Sequence, residues 1–288
     1  MKFLTMSQIL APCVRQDWAI GAYDTCNLEI TKAIVDAASV DQAPIIIMIY
    51  PHHTPQAEWH TLVRIIESEV DRTQIPAALV LDHAKTLDQI EYALKLGFSG
   101  VMIDASLAPL EQNIALTRRA VEIAHACDAS VEAELGHVGV GDEVVSPDQQ
   151  LAHLTQVDEA KRFVNETGVD ALAVSIGTLH GLYRGTPKLD FERLAQLRDA
   201  CQIPLVLHGG SDTPDQDIRR AIETGIDKIN IWTDVRIPFL RAIKEQLDGP
   251  IEKVDIPEVL TAGRTAAFEV IRQKNRLLGS TGKAAQYT

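Results

Sequence analysis

The sequence predicts a (β/α)₈ barrel that forms a single domain over residues 1–288. Three observations predict it: short apolar runs recur, a helical pattern follows each run, and no Pro/Gly/Ser-rich linker divides the chain. Runs that are apolar on both faces are typical of parallel strands covered by helices. Eight such units in this length favour a closed barrel over an open doubly wound sheet. The runs are Ala19–Tyr23, Pro44–Tyr50, Ala77–Leu81, Gly100–Ile103, Ser130–Leu135, Ala171–Ser175, Pro204–Leu207 and Lys228–Ile231.

Start and stop signals indicate the helices between these runs. The segment Thr213–Gln216 (TPDQ) predicts a capping box with proline at the first helical position, and Gly225 ends that helix. Leu87–Leu96 has apolar residues at helical spacing and is closed by Gly97. Pro109–Cys127 is predicted as a longer amphipathic helix.

Composition and charge exclude several classes of protein. With 46% hydrophobic and 23% charged residues, the chain can bury a large core and is not expected to be disordered. The formal net charge of -13 argues against a nucleic-acid partner, because phosphate backbones require clustered Lys and Arg. A small anionic substrate remains compatible, since a few local donors outweigh a distant negative surface.

The cysteines and the apolar segments indicate a cytoplasmic protein. The four cysteines are scattered without a C-x-x-C pair, which favours free thiols and excludes structural zinc held by cysteine. No stretch approaches the roughly 18 apolar residues of a membrane helix. The N-terminus lacks a cleavage-site pattern, so we expect neither export nor a membrane partner.

Polar residues follow the predicted strands, where barrel enzymes place their functional groups. A single histidine is more often a surface residue or a satisfied core residue than a ligand. Here, however, His83, His180 and His208 follow three separate strands, and three neutral imidazoles with an open position describe a catalytic zinc site. The polar ends are Asp24, Tyr50–His53, Asp82, His83, Asp104, Glu134, His180, Gly181, His208–Ser211 and Asn230–Thr233.

Acidic residues accompany these histidines. Alternation along an extended strand would turn Asp82 and His83 to different sides, so that one binds metal while the other faces substrate. Alternatively, Asp82 caps the helix predicted over Thr86–Lys95. Glu132 and Glu134 share one face, and two carboxylates inside a barrel need a metal, a histidine N–H or a proton. The alternative, a surface strand, leaves little apolar material to bury on the other side.

Two glycine-containing segments have different predicted roles. The Gly209–Ser211 turn and Thr233 follow strands 7 and 8, where barrel enzymes often bind phosphate; two ordinary β-α turns are the alternative. The glycines within 136–141 lack the spacing of a dinucleotide fingerprint and suggest a mobile loop instead. Asp142 and Glu143 on that loop either swing inward or remain solvated.

At these residues the sequence resembles the class II, zinc-dependent fructose-bisphosphate/tagatose-bisphosphate aldolase family, and within it the shorter tagatose-bisphosphate-aldolase-like branch. The resemblance runs over nearly the whole chain, with the motifs in the family's order. The matching stretches are LDH (81–83), MIDAS (102–106), VEAELG (131–136), AVSIGTLHG (173–181), PLVLHGGS (204–211), KINI (228–231) and Thr233.

The resemblance implies a set of roles. It implies that His83, His180 and His208 bind the catalytic zinc and that Asp82 is the acid/base. Zinc would then polarise the substrate ketone. Asp104 and Glu134 match acidic positions associated with an alternative or second metal position, or with a monovalent cation. Asn230 would hold the substrate near the developing charge, and the phosphate would be gripped by Gly181, Gly209, Ser211 and Thr233.

The reaction that the resemblance implies is reversible cleavage of a ketose 1-phosphate or 1,6-bisphosphate to dihydroxyacetone phosphate and an aldehyde. A non-catalytic aldolase-like subunit and a metal-dependent phosphosugar epimerase are the alternatives. The resemblance also implies a homodimer or homotetramer, with residues 256–278 contributing contacts.

Four positions depart from the family pattern. The usual Phe-Asn after strand 1 is Tyr23-Asp24, and Tyr50–His53 replaces small and hydroxyl residues. On the predicted mobile loop, the glutamate to which the resemblance assigns the proton of dihydroxyacetone phosphate falls at Asp142, one methylene shorter, next to Glu143. Near Pro257-Glu258 an arginine for the distal phosphate is missing, and a negative Glu258 would repel such a phosphate. We therefore hypothesise a ketose 1-phosphate with a different distal end.

Overall fold

The computed structural model describes residues 3–139, 153–179, 181 and 187–287. Eight parallel strands close into a barrel in sequential order, β1 to β8. Each predicted strand is present, with ends that differ by three residues at most, so the (β/α)₈ barrel is confirmed. The strands are β1 Ile20–Asp24, β2 Ile45–Ile49, β3 Ala77–Ala84, β4 Gly100–Ile103, β5 Ser130–Leu135, β6 Ala171–Val174, β7 Leu205–Leu207 and β8 Lys228–Ile231.

Helices lie before the first strand, between the strands and beyond the last one. Short 3₁₀ turns cover Gln56–Glu58, Ile251–Lys253 and Lys283–Tyr287. In the described residues the α-helices are α1 Met6–Leu10, α2 Leu28–Asp41, α3 Trp59–Thr73, α4 Leu87–Leu96, α5 Leu110–His125, α6 Val157–Thr167, α7 Phe191–Cys201, α8 Asp215–Thr224, α9 Thr233–Gln246 and α10 Ile256–Leu277.

The predicted helix ends were correct in two cases, and one predicted start was wrong. Gly97 and Gly225 end α4 and α8 with positive φ angles of 98° and 134°, which suit glycine. The capping box before α8 is absent: Pro214 occupies the cap position and no side chain caps the helix. The Thr213 hydroxyl instead donates to the carbonyl of Gly209 at 3.1 Å, which braces the turn after β7.

The inside of the barrel is apolar at one end and polar at the other. Near the amino ends of the strands, Ile20, Ile46 and Val80 pack with Met6 and other side chains of α1. Toward the carboxyl ends the buried interior holds Glu132, Glu134, His208 and Asn230, and the buried amine of Lys228, the first residue of β8, contacts two of them. A larger apolar layer fills the space between strands and helices. The packed amino end therefore leaves the carboxyl end as the place for chemistry.

A buried polar network ties the last helix to the first strand. The Tyr23 hydroxyl donates to Asn275 Oδ1 at 3.0 Å, and Asn275 Nδ2 donates to Asp41 Oδ2 at 3.2 Å. Arg272 Nε donates to the other oxygen of Asp41 at 2.9 Å. Because Tyr23 immediately precedes Asp24, this network also fixes the end of β1 that enters the polar part of the barrel.

The four cysteines are free, as their scattered spacing predicted. Among the described residues, none of the helices combines the length and apolar character that crossing a bilayer requires.

Replacing Asn275 with alanine should destabilise the protein by about 1–3 kcal/mol, because the change removes partners from the buried Tyr23 hydroxyl and Asp41 carboxylate. Urea unfolding measures this free energy. Asn165→Ala is the matched control, since Asn165 is also helical but exposed, and its effect should stay within about 0.5 kcal/mol. Equal effects of the two substitutions would show that the network does not stabilise the fold.

Candidate active site

A pocket of about 470 Å³ opens at the carboxyl ends of the strands. Four of the residues predicted to hold metal or to move protons line it, namely Asp82, His83, Asp104 and Glu134. His208 is fully buried beside them. The predicted residues His180, Asp142 and Glu143 lie outside the described residues.

The end of β3 departs from a regular strand. The register of β3 against β4 shifts between Leu81 and Ala84, and His83 has a positive φ of 46°. The expected alternation, which places neighbouring side chains on different sides, requires extended backbone and therefore fails here. Ligand atoms of Asp82, His83 and His208 consequently lie within 4.8 Å of one another. The prediction that Asp82 and His83 face different sides was wrong.

His208 lies between two buried carboxylates. Its Nε2 is 2.9 Å from Glu132 Oε1, and its Nδ1 is 3.2 Å from Glu134 Oε2. Burial alone would lower the pKa of His208, but hydrogen bonds and charge from Glu132 and Glu134 raise it to about 10. A metal ion that binds this imidazole must displace a tightly held proton, so metal binding and proton release are coupled.

His83 is oriented by Asp104 after β4. Nδ1 of His83 lies 2.8 Å from Asp104 Oδ2, and the same carboxylate oxygen accepts from Lys85 Nζ at 2.5 Å. The Ser106 hydroxyl donates to Asp104 Oδ1 at 2.7 Å. Burial would raise the pKa of Asp104, but the hydrogen bonds from His83, Lys85 and Ser106 hold it well below its usual range. The carboxylate therefore stays ionised and fixes the imidazole.

Lys228 is a buried site residue that the sequence analysis missed. Its side chain is fully buried, and Nζ donates at 2.7 Å both to Glu132 Oε2 and to Asn230 Oδ1. Because the amide oxygen of Asn230 faces Lys228, its Nδ2 points to Asp82 Oδ1 and His208 Nε2, each at 3.2 Å. The alternation of side chains along β8 could have predicted that Lys228 lies beside Asn230, since residues 228 and 230 are on the same face of the strand.

The four residues predicted to bind phosphate line the same pocket, together with Asn230, which was predicted to hold the substrate; the four are Gly181, Gly209, Ser211 and Thr233. Gly209 has φ 66°, and a Cβ there would lie 2.3 Å from the carbonyl oxygen of Leu179. Thr233 is the first residue of α9, and Ser211 Oγ accepts from the N–H of Asp234 at 3.3 Å. Backbone N–H groups at a helix start, next to two hydroxyls, suit an anion.

Aromatic and basic side chains form the rim. The His53 ring lies 4.9 Å from the Trp232 ring and 4.7 Å from the Tyr50 ring. Arg236, one turn into α9 beyond Thr233, also lines the pocket and was missed from sequence. Glu258 does not line it, because that side chain is exposed on α10 beside a separate depression.

Two overlapping sets of donors lie close enough to hold ions. The first set is Asp82, His83 and His208; the second is His83, Asp104 and Glu134, also within 4.8 Å of one another. Imidazole nitrogens and carboxylate oxygens are donors that catalytic zinc accepts. The donor chemistry of the described residues is therefore compatible with the expected zinc and with a second cation beside it.

A barrel with imidazole and carboxylate donors beside a helix start that suits an anion has the features of the metal-dependent enzymes that act on phosphorylated substrates. The family model "Fructose-bisphosphate aldolase class-II" matches residues 4–283, and the chain belongs to this family. Membership implies aldehyde-lyase activity on a phosphosugar.

Three solved structures resemble this one. The YdjI aldolase of Escherichia coli K12 is 33% identical with a TM-score of 0.86, covering 98% of this chain and 99% of that one. A putative fructose-1,6-biphosphate aldolase from Coccidioides immitis is 30% identical with a TM-score of 0.86, covering 96% and 97%. Fructose-bisphosphate aldolase from Campylobacter jejuni, 22% identical with a TM-score of 0.81 over 98% and 97%, shares the fold.

Replacing Lys228 with methionine should cost about 3–5 kcal/mol of stability, because the buried Glu132 would lose one of its two cationic partners and keep only His208. The double variant Lys228→Met/Glu132→Gln should recover most of this loss. Urea unfolding of both variants measures the difference, and Lys95→Met, at a 74% exposed side chain, is the control. If the double variant is as unstable as the single one, Lys228 does not stabilise the fold by neutralising Glu132.

Proposed function

We propose that the protein is a zinc-dependent class II aldolase that reversibly cleaves a phosphorylated ketose to dihydroxyacetone phosphate and an aldehyde. The observation that carries the proposal is that Asp82, His83 and the helix start at Thr233 line one pocket, with the buried His208 imidazole within reach of the first two. An acid/base, metal donors and a phosphate cradle are the parts that a metal-assisted aldol cleavage requires.

The zinc ligands in this proposal are His83, His180 and His208. When bound, zinc would polarise the ketone and stabilise the charge that develops on its oxygen. Carboxylates orient both described imidazoles: Asp104 contacts His83, and Glu132 contacts His208. Such partners fix the ring orientation and the tautomer of metal-binding histidines. Asp104 and Glu134, together with His83, would hold the alternative position or a second cation.

Asp82 is the proposed acid/base. It is 5% exposed, and Asn230 Nδ2 donates to its Oδ1 at 3.2 Å. In cleavage, Asp82 takes the proton from the hydroxyl on the carbon that becomes the aldehyde; in condensation, it returns that proton. Asn230, fixed by Lys228, holds its Nδ2 group between Asp82 and His208, where an N–H donor would stabilise the negative charge that develops on the substrate.

The phosphate would bind where β6, β7 and β8 end. Gly181 and Gly209 allow a close backbone approach, and Ser211 and Thr233 supply hydroxyls beside the α9 amino end. We assign to Asp142 or Glu143 the removal and return of the carbon-bound proton of dihydroxyacetone phosphate, because the resemblance gives this role to an acid on the same loop.

The substrate is either a ketose 1-phosphate or a 1,6-bisphosphate, and we favour the tagatose-bisphosphate-aldolase-like branch. Glu258 lies away from the pocket of its own chain, so it would influence a distal phosphate only across a subunit contact. The exposed apolar side chains of Leu240, Ile251 and Ile256 near α9 and α10 support such a contact in a homodimer or homotetramer.

Release of dihydroxyacetone phosphate from a panel of ketose 1-phosphates and 1,6-bisphosphates should be abolished by chelator and restored by zinc.

Asp82→Asn should lower kcat by about 10²- to 10⁴-fold, because the amide cannot accept the hydroxyl proton. Asp88→Asn is the control, since Asp88 is an exposed acid at the start of the next helix.

Release that survives complete removal of metal would contradict the metal dependence. A zinc-loaded protein that releases no dihydroxyacetone phosphate from any member of the panel would instead favour an epimerase or a non-catalytic subunit.

A further inference from the structure

Lys85 is a charged residue of the pocket that the proposed mechanism does not use. It directly follows β3 and lines the same pocket as Asp82 and Glu134. Its Nζ donates to Asp104 Oδ2 at 2.5 Å, and its side chain is 59% exposed, whereas that of Asp104 is 8% exposed. An ion pair with one partner this exposed adds little to stability, so the consequence of the contact lies in what else Asp104 can bind.

The acceptor positions of the Asp104 carboxylate are all occupied. An ionised carboxylate has about four lone-pair sites, two on each oxygen. Oδ1 accepts from the N–H and the hydroxyl of Ser106 at 3.0 and 2.7 Å. Oδ2 contacts His83 Nδ1 at 2.8 Å in addition to Lys85 Nζ. A metal ion that binds Asp104 must therefore displace one of these groups.

Of these groups, the Lys85 ammonium is the one that can leave most easily. Ser106 is only two residues from Asp104 in sequence, and the His83 side chain is 11% exposed. The backbone N–H of Lys85 donates to Gln89 Oε1 at 2.8 Å, which fixes the start of the side chain beside Asp104. The rest of the side chain is a flexible four-carbon stem, so the ammonium can withdraw into water.

The contact between Lys85 and Asp104 affects the second donor set and leaves the first one open. Asp104 belongs to the second set, with His83 and Glu134, but not to the first. His83 turns its Nδ1 towards Asp104, which leaves Nε2 for an ion in the first set. The ammonium therefore places a positive charge on a member of the second set only.

We infer that the Lys85 ammonium is a tethered cation at the second donor set, so that this set takes a metal ion only when Lys85 leaves Asp104. The inference rests on the proposed function, since it assumes zinc bound by His83 and His208. A divalent ion about 4 Å from an ammonium is repelled enough to lower its affinity about 10- to 100-fold. Lys85 thus determines how many ions the site holds, without binding an ion itself.

The test is titration of zinc-loaded protein with Mn²⁺ in the absence of substrate, with free Mn²⁺ measured by its EPR signal. Mn²⁺ suits carboxylate donors and binds less tightly than zinc at a given site, so it probes the second set without removing zinc. The wild type should bind Mn²⁺ weakly, and Lys85→Met should bind one ion about 10- to 100-fold more tightly. The double variant Lys85→Met/Asp104→Asn should lose this gain, because it lacks the carboxylate that Lys85 covers.

Two control variants separate the charge of Lys85 from a general effect of surface charge. Lys85→Arg keeps the positive charge and should bind Mn²⁺ as weakly as the wild type. Lys95→Met removes a lysine from a 74% exposed side chain on α4 and should also leave Mn²⁺ binding unchanged. Tight binding in either control would overturn the inference.

Equal Mn²⁺ affinity of the wild type and Lys85→Met would overturn the inference while leaving the aldolase function intact. A gain that persists in the double variant would also overturn it, because the ion would then bind away from Asp104. Zinc content, measured by mass spectrometry before each titration, tests the assumption about the first set. A wild type that does not retain stoichiometric zinc would overturn the proposed function itself.

Discussion

The balance of buried charge at the carboxyl end of the barrel is the constraint on which the site depends. Glu132 lies between two cations: Lys228 contacts one carboxylate oxygen and His208 the other, at 2.7 and 2.9 Å. Burial would raise the pKa of Glu132, yet these neighbours lower it to about 2. An isolated charge here would be too costly to keep, so each group requires the others. Lys228 also orients the side-chain amide of Asn230 by donating to its oxygen, and the amide nitrogen of Asn230 in turn contacts Asp82.

The strands could be predicted because a parallel barrel imposes a strong pattern on the sequence. A strand such as Ile45–Ile49 is buried along its whole length, so it appears as a continuous apolar run bounded by polar residues. The irregular end of β3 could not be predicted in the same way. A positive φ at a non-glycine residue such as His83 has no local sequence signal, because such conformations persist only where the surrounding structure holds them. The prediction of a capping box before α8 was wrong because the Thr213 hydroxyl donates to the carbonyl of Gly209 instead of capping the helix.

The strand ends that form the candidate site were predicted from the sequence, but the hydrogen bonds and ion pairs between their side chains were not. Position alone placed Asp82, His83 and Ser211 at one mouth, because all carboxyl ends of a barrel face one way. The pairing of Glu132 with Lys228 joins residues 96 positions apart and depends on barrel geometry. A lysine within a strand is ordinarily an edge or surface residue, so the sequence did not indicate that Lys228 is buried in the site. Asp24 stood out from sequence as a departure from the family pattern, and its unsatisfied oxygen became visible only in three dimensions.

The proposed function requires the metal-loaded protein to remove a proton from a carbon of dihydroxyacetone phosphate. The most direct measurement is deuterium incorporation into dihydroxyacetone phosphate in D₂O, followed by NMR with no aldehyde present. We expect zinc-loaded protein to exchange one carbon-bound proton and chelated protein to exchange none. Absence of exchange by protein shown to contain stoichiometric zinc would contradict the account.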